Sequence, residues 1–186
     1  VGRDVADNDL AITWVGHSTV LVEFHGFRVL TDPIWGTYAS PLPTPSLRRW
    51  VEPPLPLEAL PVLDAVIVSH NHYDHLDAPT VRRLATLQPH ATWLTPLGNG
   101  PLLRRLGAVR LIELDWWEEA RVGDALIAAT PAQHFSARGV HDRNRALWSG
   151  FSIEVGGHRV FFAGDTGRHP EFTAIGERFG PFDVQL

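Results

Sequence analysis

Three amino-acid types are absent from this chain of 186 residues: cysteine, methionine and lysine. The absence of cysteine excludes disulfide bonds and thiolate metal sites, and it leaves the cytoplasm as the default expectation for the compartment. Because methionine is missing even at position 1, we expect the chain to be an internal piece of a longer protein. The absence of lysine means that all sixteen basic side chains are arginine.

Long hydrophobic runs and an excess of positive charge are also absent. No segment approaches the roughly 20 consecutive apolar residues of a membrane-spanning helix, so we expect any membrane contact to be peripheral. The formal net charge of −5 argues against a nucleic-acid binder with a basic surface. It does not argue against a phosphate-bearing substrate, because bound metal ions would reverse the local field.

The chain does contain enough apolar material for one globular domain, with 44% hydrophobic residues, seven Trp and nine Phe. In its middle part, apolar runs of strand length alternate with helical segments, which predicts a sheet that is at least partly parallel. We therefore expect residues 1–186 to form a single α/β domain. Strands are predicted at 11–15, 19–24, 27–31, 64–69, 91–95, 109–114, 125–130, 147–155, 158–163 and 182–186, with a turn at His25-Gly26, and helices at 80–88, 101–106 and 170–178.

One long segment without periodicity, from Trp35 to Pro61, is rich in proline and carries Arg48-Arg49-Trp50 near its centre. Loops of this length inside a compact domain are usually functional or disordered.

A cluster of metal-ligand types follows the apolar run 65–68. It reads His70-Asn71-His72-Tyr73-Asp74-His75. In extended backbone, side chains two residues apart point to the same side, so His70 and His72 face one position. Asp74 and His75 follow where the chain turns and can face a second position a few ångströms away. The cluster therefore predicts a two-metal site, and zinc suits its imidazole and carboxylate donors.

His134 and Asp165 each follow an apolar strand, as the cluster does. A histidine in such a place is often only structural, but strand ends that converge on one sheet edge are a usual way to build a site. We therefore predict that both residues join the metal site. Gly164 and Gly167 flank Asp165, where the backbone is expected to pass close to another segment or a ligand.

This set of motifs resembles the metallo-β-lactamase superfamily, and more closely its branch of N-acylphosphatidylethanolamine-hydrolysing phospholipases D. The His-x-His-x-Asp-His pattern marks the superfamily, whereas the Asp-Trp-Trp and Arg-Phe-Gly-Pro-Phe-Asp stretches mark the branch. The matching stretches are 14–20, 30–33, 70–77, 113–119, 131–134, 162–167 and 175–183. The resemblance implies an αβ/βα sandwich of mixed β-sheets flanked by helices, incomplete here at the C-terminus.

The resemblance also implies roles for the candidate ligands. One zinc ion would be held by His70, His72 and His134. A second would be held by Asp74 and His75, with Asp165 bridging the pair, so that the two aspartates act in catalysis through the metal ions. The family closes the second site with a later histidine, and His169 lies too near the Gly-Asp-Thr-Gly turn to be that residue. We therefore expect two zinc ions in the longer protein, but one firmly bound ion, one weakly bound ion and little hydrolysis in this piece.

Several residues near the predicted site have roles that the sequence leaves open. Asp32 and Asp77 either orient ligand imidazoles or cap turns. His17 either lines the site or has a structural role. Asp115-Trp116-Trp117 is interpreted as packing rather than chemistry. Phe135 stands where the family is expected to have Trp, a conservative change that bears on substrate fit.

The function that the resemblance implies is that of a zinc-dependent phosphodiesterase of phospholipase D type, with an N-acylphosphatidylethanolamine-like lipid or another phosphodiester as its partner. One alternative is a sugar-phosphate lactonase of the same superfamily. The other is a metal-binding domain without catalysis. A lipid hydrolase should show exposed apolar side chains in residues 34–61 beside the site, whereas a lactonase should show a closed, polar pocket. The head group, acyl chain, metal identity and oligomeric state stay open.

Overall fold

The computed structural model describes residues 10–24 and 26–186, so the turn expected at His25 lies partly outside the described residues. The described chain forms eleven strands and three α-helices. The strands are β1 (Leu10–Gly16), β2 (Thr19–Phe24), β3 (Phe27–Thr31), β4 (Ala65–Ile67), β5 (Thr92–Pro96), β6 (Leu111–Leu114), β7 (Glu119–Val122), β8 (Ala125–Thr130), β9 (Gly150–Val155), β10 (His158–Phe162) and β11 (Val184–Gln185). The helices are α1 (Ala78–Leu87), α2 (Gly100–Arg105) and α3 (Glu171–Phe179).

The strands form two mixed sheets. In the six-stranded sheet the order is β1-β2-β3-β4-β5-β6, with antiparallel pairing from β1 to β3 and parallel pairing from β3 to β6. In the five-stranded sheet the order is β11-β10-β9-β8-β7, and only β11 pairs in parallel. The parallel pairs come from the βα alternation of the middle part of the chain, which confirms the predicted α/β class with mixed sheets and flanking helices.

The main core lies between the two sheets, and strand periodicity explains how it is built. Val20, Val22 and Phe24 of β2 face this inner core, while Leu21 faces the opposite side. Successive side chains of a strand point to opposite faces, so a strand buried on both faces is a continuous apolar run. The second side of the six-stranded sheet is covered by α1, α2 and the segment 55–63. On the far side of the five-stranded sheet, Phe161 packs against Phe172 of α3.

The largest differences from the sequence prediction concern three strands. The strand expected at 147–155 begins only at Gly150, because the amides of Leu147 and Ser149 donate to the carbonyls of Leu97 and Ser69 instead of pairing with a neighbouring strand of the sheet. The strand expected at 182–186 is shortened to β11. The short strand β7 was not predicted, since its alternation of exposed and half-buried residues covers only four positions.

The proline-rich segment from Trp35 to Pro61 has little regular structure, as predicted. It contains two single 3₁₀ turns, Pro45–Leu47 and Leu57–Ala59, and one isolated bridge between Tyr38 and Arg48. Arg49 fastens it to the body of the domain by donating hydrogen bonds to the Ile34 and Gly36 carbonyls. Among the described residues, none of the helices is long and apolar enough to cross a bilayer.

Candidate metal centre

Four strands end at the same edge of the fold, and the residues of the candidate site follow their ends. Asp32 follows β3, His134 follows β8 and Asp165 follows β10. The cluster 70–75 follows β4. All six residues that the sequence singled out as ligands are brought together at this edge.

The first ligand group consists of the imidazole rings of His70, His72 and His134. Nε2 of His70 lies 2.9 Å from Nδ1 of His72, and Nε2 of His134 lies 3.1 Å from the same Nδ1. Each residue offers a nitrogen within 4.8 Å of the other two. His70 is buried and the other two rings are half-buried, so the group is open to solvent on one side.

Hydrogen bonding alone does not satisfy this triangle of nitrogens. An imidazole nitrogen carries either one hydrogen or one lone pair in the ring plane, yet Nδ1 of His72 faces two ring nitrogens. Three ligands at roughly 2.0–2.1 Å from a tetrahedral zinc ion would lie about 3.3 Å from one another. That spacing is close to the separations found here, so the donor set fits a metal ion bound by three imidazoles.

The second group lies beside the first and combines one carboxylate with two imidazoles. His17, Asp74 and His75 each offer an atom within 4.8 Å of the other two. Nε2 of His75 is buried and lies 3.8 Å from Oδ2 of Asp74 and 3.3 Å from Oδ1 of Asp165. Imidazole and carboxylate groups are metal ligands, so a cation bound here could be ligated by this ring nitrogen and by the neighbouring carboxylates.

Asp165 lies between the two groups. Its Oδ1 is 3.3 Å from Nε2 of His75, and its Oδ2 is 3.6 Å from Nε2 of His134. This is the place that a bridging carboxylate would occupy. Gly164 has a φ of 60°, and a Cβ there would lie 2.9 Å from Cβ of Ser69. Only glycine combines this backbone conformation with so close an approach, as the flanking glycines had suggested.

Asp32 orients two ligand rings from beneath the site. This fully buried carboxylate accepts hydrogen bonds from Nδ1 of His75 at 2.6 Å, from Oγ of Ser69 at 2.6 Å and from the Ser69 amide at 2.7 Å. Because the Ser69 hydroxyl donates to Asp32, its oxygen is free to accept from Nδ1 of His70, 2.9 Å away. Both rings thus turn Nε2 toward the site, which is the arrangement expected of a carboxylate behind a metal ligand.

Asp77 has a capping role, which is the other of the two roles that the sequence left open. It is the N-cap of α1, where its carboxylate accepts from the Thr80 amide at 3.4 Å. The same carboxylate accepts from the Gly36 amide at 3.2 Å and so joins the proline-rich segment to the helix.

Arg138 supports the ligand loop, residues 70–77, and no motif in the sequence indicated this role. Its Nη1 donates to the carbonyls of Asn71 at 2.8 Å and Leu76 at 2.7 Å. Its guanidinium also lies 4.0 Å from the centre of the Tyr73 ring. These contacts hold both ends of the turn that presents the ligands. They join residues more than 60 positions apart, which local spacing does not reveal.

The aromatic residues that the sequence singled out pack around the site. The Phe135 ring lies with its centre 4.5 Å from that of His72, against the first ligand group. The Trp116 indole donates to the Trp148 carbonyl at 2.7 Å, and Trp117 stacks on Phe179 at 6.2 Å. These contacts agree with the interpretation of the two tryptophans as packing residues.

Burial and neighbouring charge divide the histidines of the metal-free site into two kinds. Burial, with the nearby His75, lowers the pKa of His70 to about 2, and burial also lowers the pKa values of the other two rings in the first group. For His75, burial opposes the change, but the charges of Asp32 and Asp165 raise its pKa to about 10. The hydrogen bond from His75 in turn lowers the pKa of Asp165 to about 2. A charged His75 thus sits beside neutral rings.

These opposite shifts predict that the free energy of unfolding of the metal-free protein has a maximum near pH 6.5. Histidine in an unfolded chain titrates at about 6.5. Below that pH the histidines of the unfolded chain bind protons, whereas the rings of the first group stay neutral in the folded chain. The free energy of unfolding therefore falls as the pH falls. Above it, folded His75 keeps its proton while the unfolded residue loses it, so stability falls as the pH rises toward about 10.

Urea unfolding with a chelator present, repeated from pH 5 to 10, would measure this curve. His75→Gln should remove the decline on the alkaline side while leaving the acidic side. Stability that increases steadily between pH 6.5 and 9 would contradict the assigned charge of His75.

Comparison with known proteins places this site in a family. A family model described as "Beta-lactamase superfamily domain" matches residues 27–186. The chain is 41% identical over 189 residues to N-acyl-phosphatidylethanolamine-hydrolyzing phospholipase D 1 of Caenorhabditis elegans, covering 96% of this chain and 53% of that protein. It is 34% identical to the mitochondrial N-acyl-phosphatidylethanolamine-hydrolyzing phospholipase D of Saccharomyces cerevisiae, covering 90% of this chain and 37% of the relative.

A solved structure with a related fold is that of a hydroxylase, whereas the two relatives above are phospholipases D. CmlA, a diiron β-hydroxylase from Streptomyces venezuelae, superposes with a TM-score of 0.69 at 27% identity, covering 96% of this chain and 34% of CmlA. The chain therefore spans about half, or less, of the length of these three proteins.

Proposed function

The chain belongs to the metallo-β-lactamase superfamily, and from this membership we propose that it is a zinc-dependent phosphodiesterase of phospholipase D type. The substrate that we propose is an N-acylphosphatidylethanolamine-like lipid, because two curated relatives carry that activity in their names. Because the chain covers only part of each relative, the activity is proposed for the complete gene product.

The observation that carries this proposal is the pairing of two ligand groups through one carboxylate. Three imidazoles form the first group, Asp74 and His75 belong to the second, and Asp165 lies within 3.6 Å of a ring from each. Imidazole and carboxylate donors suit zinc and also iron. A pair of bound metal ions lowers the pKa of a water molecule toward neutrality and stabilises charge on phosphoryl oxygens.

The residues of the chain prepare the site for such a reaction. Asp32 and Ser69 hold the His75 and His70 rings with Nε2 facing inward. Burial opposes it, but the hydrogen bond from His17 and the charge of His75 keep the pKa of Asp74 well below its usual value, so this carboxylate is ionised at neutral pH. Metal ions held by these residues would supply the water nucleophile, so the mechanism needs no serine or cysteine nucleophile.

Apolar surface next to the site supports a lipid substrate. A cleft of about 420 Å³ extends from His17 and Asp74 along Trp14, Leu47 and Trp50. The Trp50 side chain is 97% exposed. Exposed apolar side chains in residues 34–61 are what the sequence analysis expected of a lipid hydrolase, whereas a sugar-phosphate lactonase was expected to have a closed, polar pocket. The open cleft therefore favours the lipid over the lactone.

Trp50→Ser tests the lipid surface. We expect the hydrolysis of lipid in vesicles to fall about tenfold, because moving one large apolar side chain out of water contributes about 1.5–3 kcal/mol. Hydrolysis of a short-chain, freely dissolved phosphodiester should be unchanged. Val109→Ser is the matched control, since Val109 is 85% exposed just before β6, at the end of the strand away from the site. Equal rates for the two variants on vesicles would contradict the role of Trp50.

The proposed function is tested with the complete gene product and two substrates. We expect release of phosphatidic acid from an N-acylated phosphatidylethanolamine, loss of that release with a chelator, and its return with zinc. Turnover of a sugar-phosphate lactone without phosphodiesterase activity would favour the lactonase. Metal binding without either activity would favour a non-catalytic domain, and recovery by iron instead of zinc would overturn the metal assignment.

A further inference from the structure

A third side chain points at the second ligand group, from a hairpin far away in sequence. His17 occupies the turn between β1 and β2, and its Nε2 lies 3.2 Å from Oδ2 of Asp74. Its ring centre is 5.3 Å from that of His75. The family resemblance implied Asp74, His75, the bridging Asp165 and a later histidine at this position, and it left the role of His17 open.

The backbone of the hairpin is shaped to hold His17 there. The pairing of β1 with β2 shifts register between Trp14 and Gly16, and His17 has a φ of 51°. A residue other than glycine rarely adopts such a conformation, and strained residues of this kind concentrate at functional sites. The Trp14 indole donates to the His17 carbonyl at 2.8 Å and fixes the turn. The imidazole is thus aimed by its own backbone as well as by its contact with Asp74.

We infer that His17 is a protein ligand of the second metal position, together with Asp74 and His75. The inference rests on the proposed function, because it assumes that this position holds a metal ion. Three observations support it. The three donor atoms lie within 4.8 Å of one another, Nε2 of His75 is buried and faces the carboxylates of Asp74 and Asp165, and Oδ2 of Asp74 faces a ring nitrogen on each side.

Ligation by His17 would add a second imidazole to Asp74 and His75 at this position. Together with Asp165, it gives that position four protein ligands, the number that zinc usually takes in proteins. His17 is half exposed, whereas His70 of the first group is buried. The second ion should therefore bind more weakly than the first, as the sequence analysis expected, but through a ligand that it did not assign.

The experiment measures zinc binding to the 186-residue chain in two steps, by titration against a competing chelator. In His17→Asn the affinity of the second step should fall roughly a hundredfold while the first step is unchanged. Asparagine tolerates the left-handed backbone, but its side chain is too short to reach Asp74. His17→Gln separates ligation from hydrogen bonding, because glutamine can bond to Asp74 but is a poor zinc ligand. It should lose the second ion too. His90→Ala, an exposed histidine just before β5, is the control and should bind both ions normally.

A spectroscopic reading on the unsubstituted chain makes the result independent of the variants. The chain has a mass of 20.7 kDa, which suits NMR of ¹⁵N-labelled imidazoles. The Nε2 resonance of His17 should move only during the second step. A second step that survives in His17→Gln, or a His17 resonance that does not move, would overturn the assignment and leave the proposed function intact. Two normal zinc steps without hydrolysis by the complete gene product would overturn the proposed function and leave the assignment intact.

Discussion

His134→Ala is expected to lower the affinity of the first metal position for zinc by roughly a hundredfold to a thousandfold. Structural zinc sites with four ligands contribute about 10–16 kcal/mol, so each ligand accounts for about 2.5–4 kcal/mol, and about 1.4 kcal/mol corresponds to a factor of ten. The His134 ring contacts the rings of His70 and His72 at the candidate site. Its side chain is 19% exposed, so it is not part of the hydrophobic core. Its loss should therefore affect metal binding much more than folding.

Competition with a chelator measures this affinity, and His90→Ala serves again as the control. The complete gene product carrying His134→Ala should also lose most of its hydrolysis, since the same ligand supports the reaction. Unchanged zinc affinity in this variant would contradict the assignment of the first group.

The largest loss of stability is expected for Asp32→Ala in the metal-free protein. The substitution removes the partner of the Ser69 amide, the Ser69 hydroxyl and the buried, charged His75. Breaking a buried ion pair from one side costs about 3–5 kcal/mol, because the remaining charge is left without compensation. Alanine also has to adopt the positive φ of 33° found at this position.

Urea unfolding at pH 7 measures the effect, with Asp77→Ala as the matched control. Asp77 is also an aspartate next to the ligand cluster, but its role is to cap α1. Losing a helix cap costs about 0.5–2 kcal/mol. Equal losses for the two variants would show that Asp32 does no more than cap a turn.

The sequence predicted which residues converge at the candidate site, because residue types that bind metals leave local signals. Each predicted ligand follows an apolar run, and the ends of strands in α/β sheets meet at one edge. The roles of Asp32 and Asp77 were not predictable, since both aspartates begin or follow a turn and only tertiary contacts separate them. His75 contacts the first, and Thr80 contacts the second.

Long-range contacts account for what the sequence did not reveal. Arg138 supports the ligand turn across more than 60 positions, and His17 approaches Asp74 across 57. Neither pairing follows from periodicity or spacing, because these depend on neighbours within one element. The short strand β7 was missed for the opposite reason, since four residues carry too little alternation to predict a strand.

The most direct test of the central claim is the fate of the water oxygen. We expect the complete gene product, loaded with zinc and given an N-acylated phosphatidylethanolamine in ¹⁸O-labelled water, to form phosphatidic acid with one ¹⁸O atom in its phosphate. Water would then have formed the new bond to phosphorus, while the bond from phosphorus to the ethanolamine oxygen broke and that oxygen took up a proton. Label in a released fatty acid, or no phosphatidic acid with zinc present, would contradict a phosphodiesterase of phospholipase D type.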